Sequence, residues 1–224
     1  MLGTVAVVGG TGAEGAGLAA RFARAGLRVL IGSRSLEKAQ TVALEMAGQV
    51  EGRTNADAVR EADIVVLTVP LSAQGAILKS IRESFRPGAI LVDATVPLEA
   101  AIGGRASRTL TLWDGSAAQQ AARLVPVGVP VVAAFHFLSA HALAKLDERV
   151  DCDVLLCGDS AEAKAAVREL AETIAGVRAI DAGPLENARL IENCAALLIS
   201  LNLRHKVKAS GLRITGLEPS GAKP

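Results

Sequence analysis

Residues 5–19 read VAVVGGTGAEGAGLA, and the order of residue types in this stretch decides the fold. A short β-branched run over residues 4–8 ends in glycine, and an Ala-rich segment over residues 12–25 follows with helical character, closed by Gly26. Between them lies Gly10-x-Gly12-x-x-Gly15. In a chain with 22 glycines the bare pattern is weak. Its context, strand before and helix after at the first βα turn, is what a dinucleotide site requires. On this reading Gly10 permits the tight turn, Gly12 admits a pyrophosphate and Gly15 lets helix and strand approach. The free amides of the helix N-terminus then face the phosphates, with Ala13 and Glu14 in the same loop and the Thr11 hydroxyl beside them. An ordinary glycine-rich turn is the alternative.

Outward from this turn, strands and helices alternate. Strands are expected at residues 28–31, 63–67, 90–92, 131–135, 153–157 and 177–180. Helices are expected at 36–46 with Ser35 as N-cap, at 56–61, 72–84, 117–124 and 161–175, and over a long apolar stretch at 185–207. Residues 97–112 read as a loop over the sheet edge, and the end at 218–224, rich in Pro, Gly and Lys, as frayed. The pattern is that of an α/β protein, a doubly wound Rossmann-type parallel sheet. A smaller C-terminal α/β segment begins near Asp151 and ends in the long helix. Residues 1–150 are therefore expected to form the nucleotide-binding domain, and 151–224 a smaller domain completing the cleft and a dimer interface.

The second strand selects the nucleotide. An acidic residue there, roughly 20 positions after the glycines, would accept from a ribose 2′-hydroxyl. Here Gly32 is followed by Ser33 and Arg34, with Lys38 one helical turn on. Two cations and a hydroxyl suit a 2′-phosphate, so NADP is expected over NAD. The competing reading is a solvated helix start.

Three further strand ends face the same side. Thr68-Val69-Pro70 and Thr95-Val96-Pro97 repeat one tripeptide, in which the residue before proline is held extended. Both offer flat apolar surface to a planar ring, unless the prolines merely stop their strands. His136 ends the strand at 131–135, at the height of a nicotinamide, and is followed by Leu138 and Ser139. It reads as a polar anchor for substrate, a core histidine being the alternative. His136 and Thr11 are the candidate catalytic residues. With no Tyr there is no Tyr-x-x-x-Lys donor, and neither a nucleophilic triad nor clustered metal ligands are suggested. A site so poor in acids points to hydride exchange between two organic cofactors, which carry the chemistry themselves.

Bulk composition agrees. Half of the 224 residues are hydrophobic but only 2% are aromatic, and 24 basic side chains face 23 acidic ones. A nucleic-acid binder would show a basic excess or aromatic stacking platforms. No apolar run reaches the ~18 residues of a membrane span, and the start lacks the basic region of a signal peptide. The three cysteines form no CxxC pair and read as small core residues in a reducing, cytoplasmic setting.

These residues resemble the coenzyme F420-dependent NADP oxidoreductases. The resemblance runs from Val5 to Leu217 and rests on VVGGTGAEGAGLA, IGSRSLEKA, DIVVLTVP, AFHFLSA, LDERVDCDVLLCGD, AIDAGPLENARLIE and LLISLNLRHKVKASGLRITGL. It implies reversible hydride transfer between NADPH and the deazaflavin coenzyme F420, with Thr11, Gly12, Ala13 and Glu14 on the pyrophosphate. Ser33, Arg34 and Lys38 would take the 2′-phosphate, and Val69, Pro70 and Pro97 would line the ring cleft. His136, Leu138 and Ser139 would lie against the deazaflavin, in a homodimer. The chain departs from the family pattern at Ala13-Glu14, where members carry Asn-Leu, and at Phe137, where Asn or Thr is common. NADPH-dependent flavin, ferric, imine or carbonyl reductases, and a non-catalytic NADP sensor, stand as alternatives.

Overall fold

Parallel strands buried on both faces need continuous apolar runs. The chain supplies them in β1 (Val5–Val8), β2 (Val29–Ser33) and β4 (Ile64–Leu67), each buried along its whole length. The computed structural model describes residues 2–217; the frayed end expected at 218–224 lies outside the described residues. The remaining strands are β3 (Val50–Thr54), β5 (Ile90–Asp93), β6 (Val131–Ala133), β7 (Cys152–Gly158) and β8 (Val177–Asp181). Between them run α1 (Ala13–Arg24), α2 (Leu36–Leu44), α3 (Asn55–Glu61), α4 (Leu71–Ile81), α5 (Ala117–Leu124), α6 (Ala140–Ala144), α7 (Ala161–Glu172) and finally α8 (Ala188–His205). Ser35 caps α2 as expected, accepting from the Lys38 amide.

The strands form one eight-stranded sheet in the order β3-β2-β1-β4-β5-β6-β7-β8. The first six follow the Rossmann order, with the switch between β1 and β4. β7 runs antiparallel to β6 and parallel to β8, so the sheet reverses where the smaller segment begins.

β3 escapes the sequence reading because VEGRT carries two charges and buries only Gly52. Its place is the sheet edge, where Glu51 joins Arg28, Arg53 and Glu61 in a half-exposed ion-pair ladder. α2 lies directly on it: a Cβ at Gly52 would come within 2.3 Å of the Gln40 amide nitrogen. The strand expected through residue 135 ends instead at Ala133. Phe135 adopts φ +71°, a left-handed conformation that is costly for a bulky residue. Its ring, buried and edge-on to Phe22 at 6.0 Å, holds it there.

Two buried charged groups tie the C-terminal third to the sheet. Arg21 of α1, 4% exposed, donates to the carbonyls of Ala142, Leu143, Lys145 and Glu148, fastening α6 and the turn after it. Asp153 of β7 is fully buried. It accepts from Arg178, Arg213 and the Ile214 amide, pinning the strap that follows α8. Burial pushes the Asp153 carboxyl up, but these donors outweigh it and hold the pKa at about 2.

Candidate functional site

The turn after β1 is built by glycines with distinct tasks. The left-handed residue is Gly9, φ +84°, one position before the residue expected to permit the turn. Gly10 and Gly15 are required by space: a Cβ on Gly10 would meet the Val7 carbonyl at 2.7 Å. On Gly15 it would meet the Thr68 hydroxyl at 2.5 Å. Gly12 is exposed and caps α1 with backbone alone, leaving the first-turn amides open. A cradle that side chains would fill, under free helix amides, fits a dinucleotide pyrophosphate.

Two cavities flank this turn. The smaller, about 360 Å³, is lined by Thr11, Ser33, Arg34 and Lys38 among others. Arg34 and Lys38 are exposed, and neither makes a hydrogen bond or ion pair through its side chain within the described residues. The Ser33 hydroxyl accepts from the Ser35 amide. Two uncommitted cations beside an oriented hydroxyl match a phosphate monoester. Asn55, at the start of α3, also lines this cavity with its buried Oδ1 unpartnered. Sequence reading passed over it, since a lone Asn before a helix reads only as a turn residue.

The larger cavity, about 510 Å³, is lined by Ala13, Glu14, Val96, His136, Leu138 and Ser139, together with Phe137 and Leu98. Gly12, Thr68, Val69 and Pro70 line both cavities, so the two form one trough along the carboxyl ends of the strands. Thr11 and His136 therefore sit in different parts of it. Pro97 is buried off the wall, its carbonyl accepting from the Leu110 amide. The far wall comes from α8 and the strap, through Ala195, Leu198, Ile199, Asn202 and Ser210. No local motif announces these residues. Asn202 Oδ1 accepts from the Ser210 amide, and the Ser139 hydroxyl donates to the Lys208 carbonyl.

Four titratable groups in and near this cavity are shifted from their ordinary values. Both ring nitrogens of His136 are buried without a partner in the described residues, and burial lowers its pKa to about 4. The Thr95 backbone favours the proton without reaching hydrogen-bond geometry. The imidazole is therefore neutral near pH 7, one nitrogen donating and the other accepting. Glu14, partly exposed, stands in a poorly solvated crevice that raises its pKa to about 7. Beneath the floor, Asp93 accepts from Gln74 Nε2 at 2.7 Å and from the Thr95 amide at 3.1 Å. Burial raises it to about 7 against these bonds. Glu192 of α8 accepts from the Ala117 and Ala118 amides, and burial raises it to about 8, reinforced by repulsion from Asp93.

A family described as NADP oxidoreductase, coenzyme F420-dependent, matches residues 4–97. The F420-dependent NADP reductase of Methanothermobacter thermautotrophicus is 53% identical over 97% of this chain and 97% of its own. The chain belongs to this family. A second member, the F420-dependent NADP reductase of Methanocaldococcus jannaschii, is 42% identical over 96% of this chain and 99% of its own. A solved structure from Arthrobacter sp. FB24, 24% identical, superposes with a TM-score of 0.82 over 96% of this chain and all of that one, and shows the same fold. No helix of the described residues is long and apolar enough to cross a membrane.

Proposed function

We propose that this protein transfers hydride between NADPH and the deazaflavin coenzyme F420, the activity that names its curated relatives. The observation that carries the reading is the single trough: a cation-bearing cavity joined through Gly12, Thr68, Val69 and Pro70 to an apolar one. The bound nucleotide and deazaflavin supply the redox chemistry; the chain supplies alignment. Arg34, Lys38 and Ser33 hold the 2′-phosphate, Thr11, Gly12 and Ala13 the diphosphate. Val69, Pro70 and Val96 orient the rings and exclude water. Neutral His136, its two ring nitrogens buried behind the wall, lies against the second ring, and Leu138 and Ser139 continue that wall. Residues 1–150 act as the nucleotide-binding unit and 151–224 close the cleft.

The exposed leucines Leu190, Leu197 and Leu201 share one stripe of α8 and support a homodimer joined there. Three free thiols suit a cytoplasmic setting. The test mixes the protein with NADPH and follows reduction of F420, then of FMN. Fast F420 turnover with slow FMN turnover supports the reading; no turnover of either beside tight NADPH binding overturns it. Size-exclusion chromatography with light scattering tests the dimer.

A further inference from the structure

Glu14 is the only acidic side chain lining the larger cavity, and His136 the only other titratable one. It makes no hydrogen bond or ion pair within the described residues. The buried carboxylates, by contrast, are satisfied: Asp93 by Gln74 and Thr95, Glu192 by two amides, Asp153 by two guanidinium groups. Glu14 is partly exposed and lines a mostly apolar, concave site without a protein partner, so a ligand seated there would meet its carboxylate. It stands in the first turn of α1, between the glycine turn and the ring-sized part of the trough.

The two forms of the nucleotide differ there by one charge, since the oxidised nicotinamide ring is cationic and the reduced ring neutral. We propose that Glu14 is a specificity-determining residue of this cleft: its carboxylate attracts the oxidised ring and gives the reduced ring nothing. The inference rests on the reading that the nicotinamide lies in the larger cavity. The 2′-phosphate and diphosphate are common to both forms, so their direct contribution cancels in the ratio of the two affinities, while their negative charge raises the Glu14 carboxyl in both complexes and moves its titration upward.

The groups facing Glu14 leave it to act alone. Among the residues that line the same cavity, His136 is neutral above about pH 4, and the rest, Thr68 and Asn202 included, carry no charge. The carboxyl titrates near pH 7 because burial raises it. Preference for the oxidised form therefore grows as pH rises through neutrality.

Calorimetric titration with NADP+ and NADPH from pH 6 to 8.5 tests this. In the wild type the ratio of Kd for NADPH to Kd for NADP+ should rise about tenfold, the scale of one charge pair in a partly desolvated site. In Glu14→Gln and Glu14→Leu the ratio should stay flat, near the wild-type value at low pH. Adenosine 2′,5′-bisphosphate, which has no nicotinamide, should bind wild type and both variants alike. A flat wild-type ratio, or a variant ratio that still rises, overturns the proposal. Loss of bisphosphate binding in the variants overturns it too, making Glu14 a structural support of the glycine turn. Failure of the underlying site reading is distinguishable, because Arg34→Ala would then not separate NADPH from NADH.

Discussion

The two cavities that meet at Gly12, Thr68, Val69 and Pro70 are built on opposite plans. The smaller takes most of its polar groups from two short segments, Thr11 on the glycine turn and Ser33, Arg34, Ser35 and Lys38 at and after the end of β2, with Asn55 and Thr68 beside them. The larger gathers short pieces from the start of α1, the segments after β4 and β5, the 136–139 turn, α8 and the strap. Recognition of a phosphate needs a few charges on one loop. A slot for planar rings needs walls, and walls come from the whole fold.

If that division is right, the walls should fail when the fold is loosened far from them. Asp153→Asn leaves Arg178 and Arg213 facing each other without their buried carboxylate, and should cost about 3 kcal/mol in urea denaturation. F420 affinity should fall with it, while adenosine 2′,5′-bisphosphate binding persists. With its folded pKa depressed to about 2, this carboxylate contributes stability above about pH 4 that is lost as pH falls toward 2.

The converse variant is Arg34→Ala. NADPH affinity should drop about 100-fold by fluorescence titration, the loss of a charge-assisted phosphate contact, with NADH unaffected. Equal losses for both nucleotides would dissolve the distinction between the cavities. His136→Ala should raise KM for F420 about tenfold and leave Kd for NADPH unchanged, as removal of a packed side chain from the cavity wall would.

The buried acids near the larger cavity make stability respond to pH. Asp93 and Glu192 are raised to about 7 and 8, so the native state holds protons that the unfolded chain releases near pH 4. Their stabilisation is complete below about pH 4 and lost as pH rises toward 8, with a slope of up to ~1.4 kcal/mol per pH unit for each group. Asp93→Asn should flatten that slope in thermal melts recorded from pH 5 to 8. The smallest effect is expected from Asn55→Ala, about threefold in NADPH affinity, since one neutral hydrogen bond is at stake.

Legibility in the sequence followed the same line. The parallel core declares itself because β1, β2 and β4 are unbroken apolar runs, and Ser33, Arg34 and Lys38 declare themselves by standing where an acid would. β3 does not, because an edge strand bearing Glu51 and Arg53 has no buried period to read. Phe135 hides the true end of β6, since its left-handed backbone depends on a ring contact with Phe22 more than 100 positions away. Arg21 and Asp153 resemble surface charges until the carbonyls and guanidinium groups around them are seen. Ala195, Leu198 and Asn202 form the far wall through α8 helical spacing and the strap, neither of which is a motif.

The strap also sets an order in time. Ser210, Arg213 and Ile214 reach back to Asn202, Asp151 and Asp153. A ribosome releases them only after every strand of the sheet has been made. A nascent chain can therefore assemble the nucleotide cradle, with its glycine turn and cations, well before the second ring has a place to rest. Termination before the strap would take Ser210 from the far wall and Arg213 and the Ile214 amide from Asp153, so the last contacts to form are also the ones that finish the larger cavity.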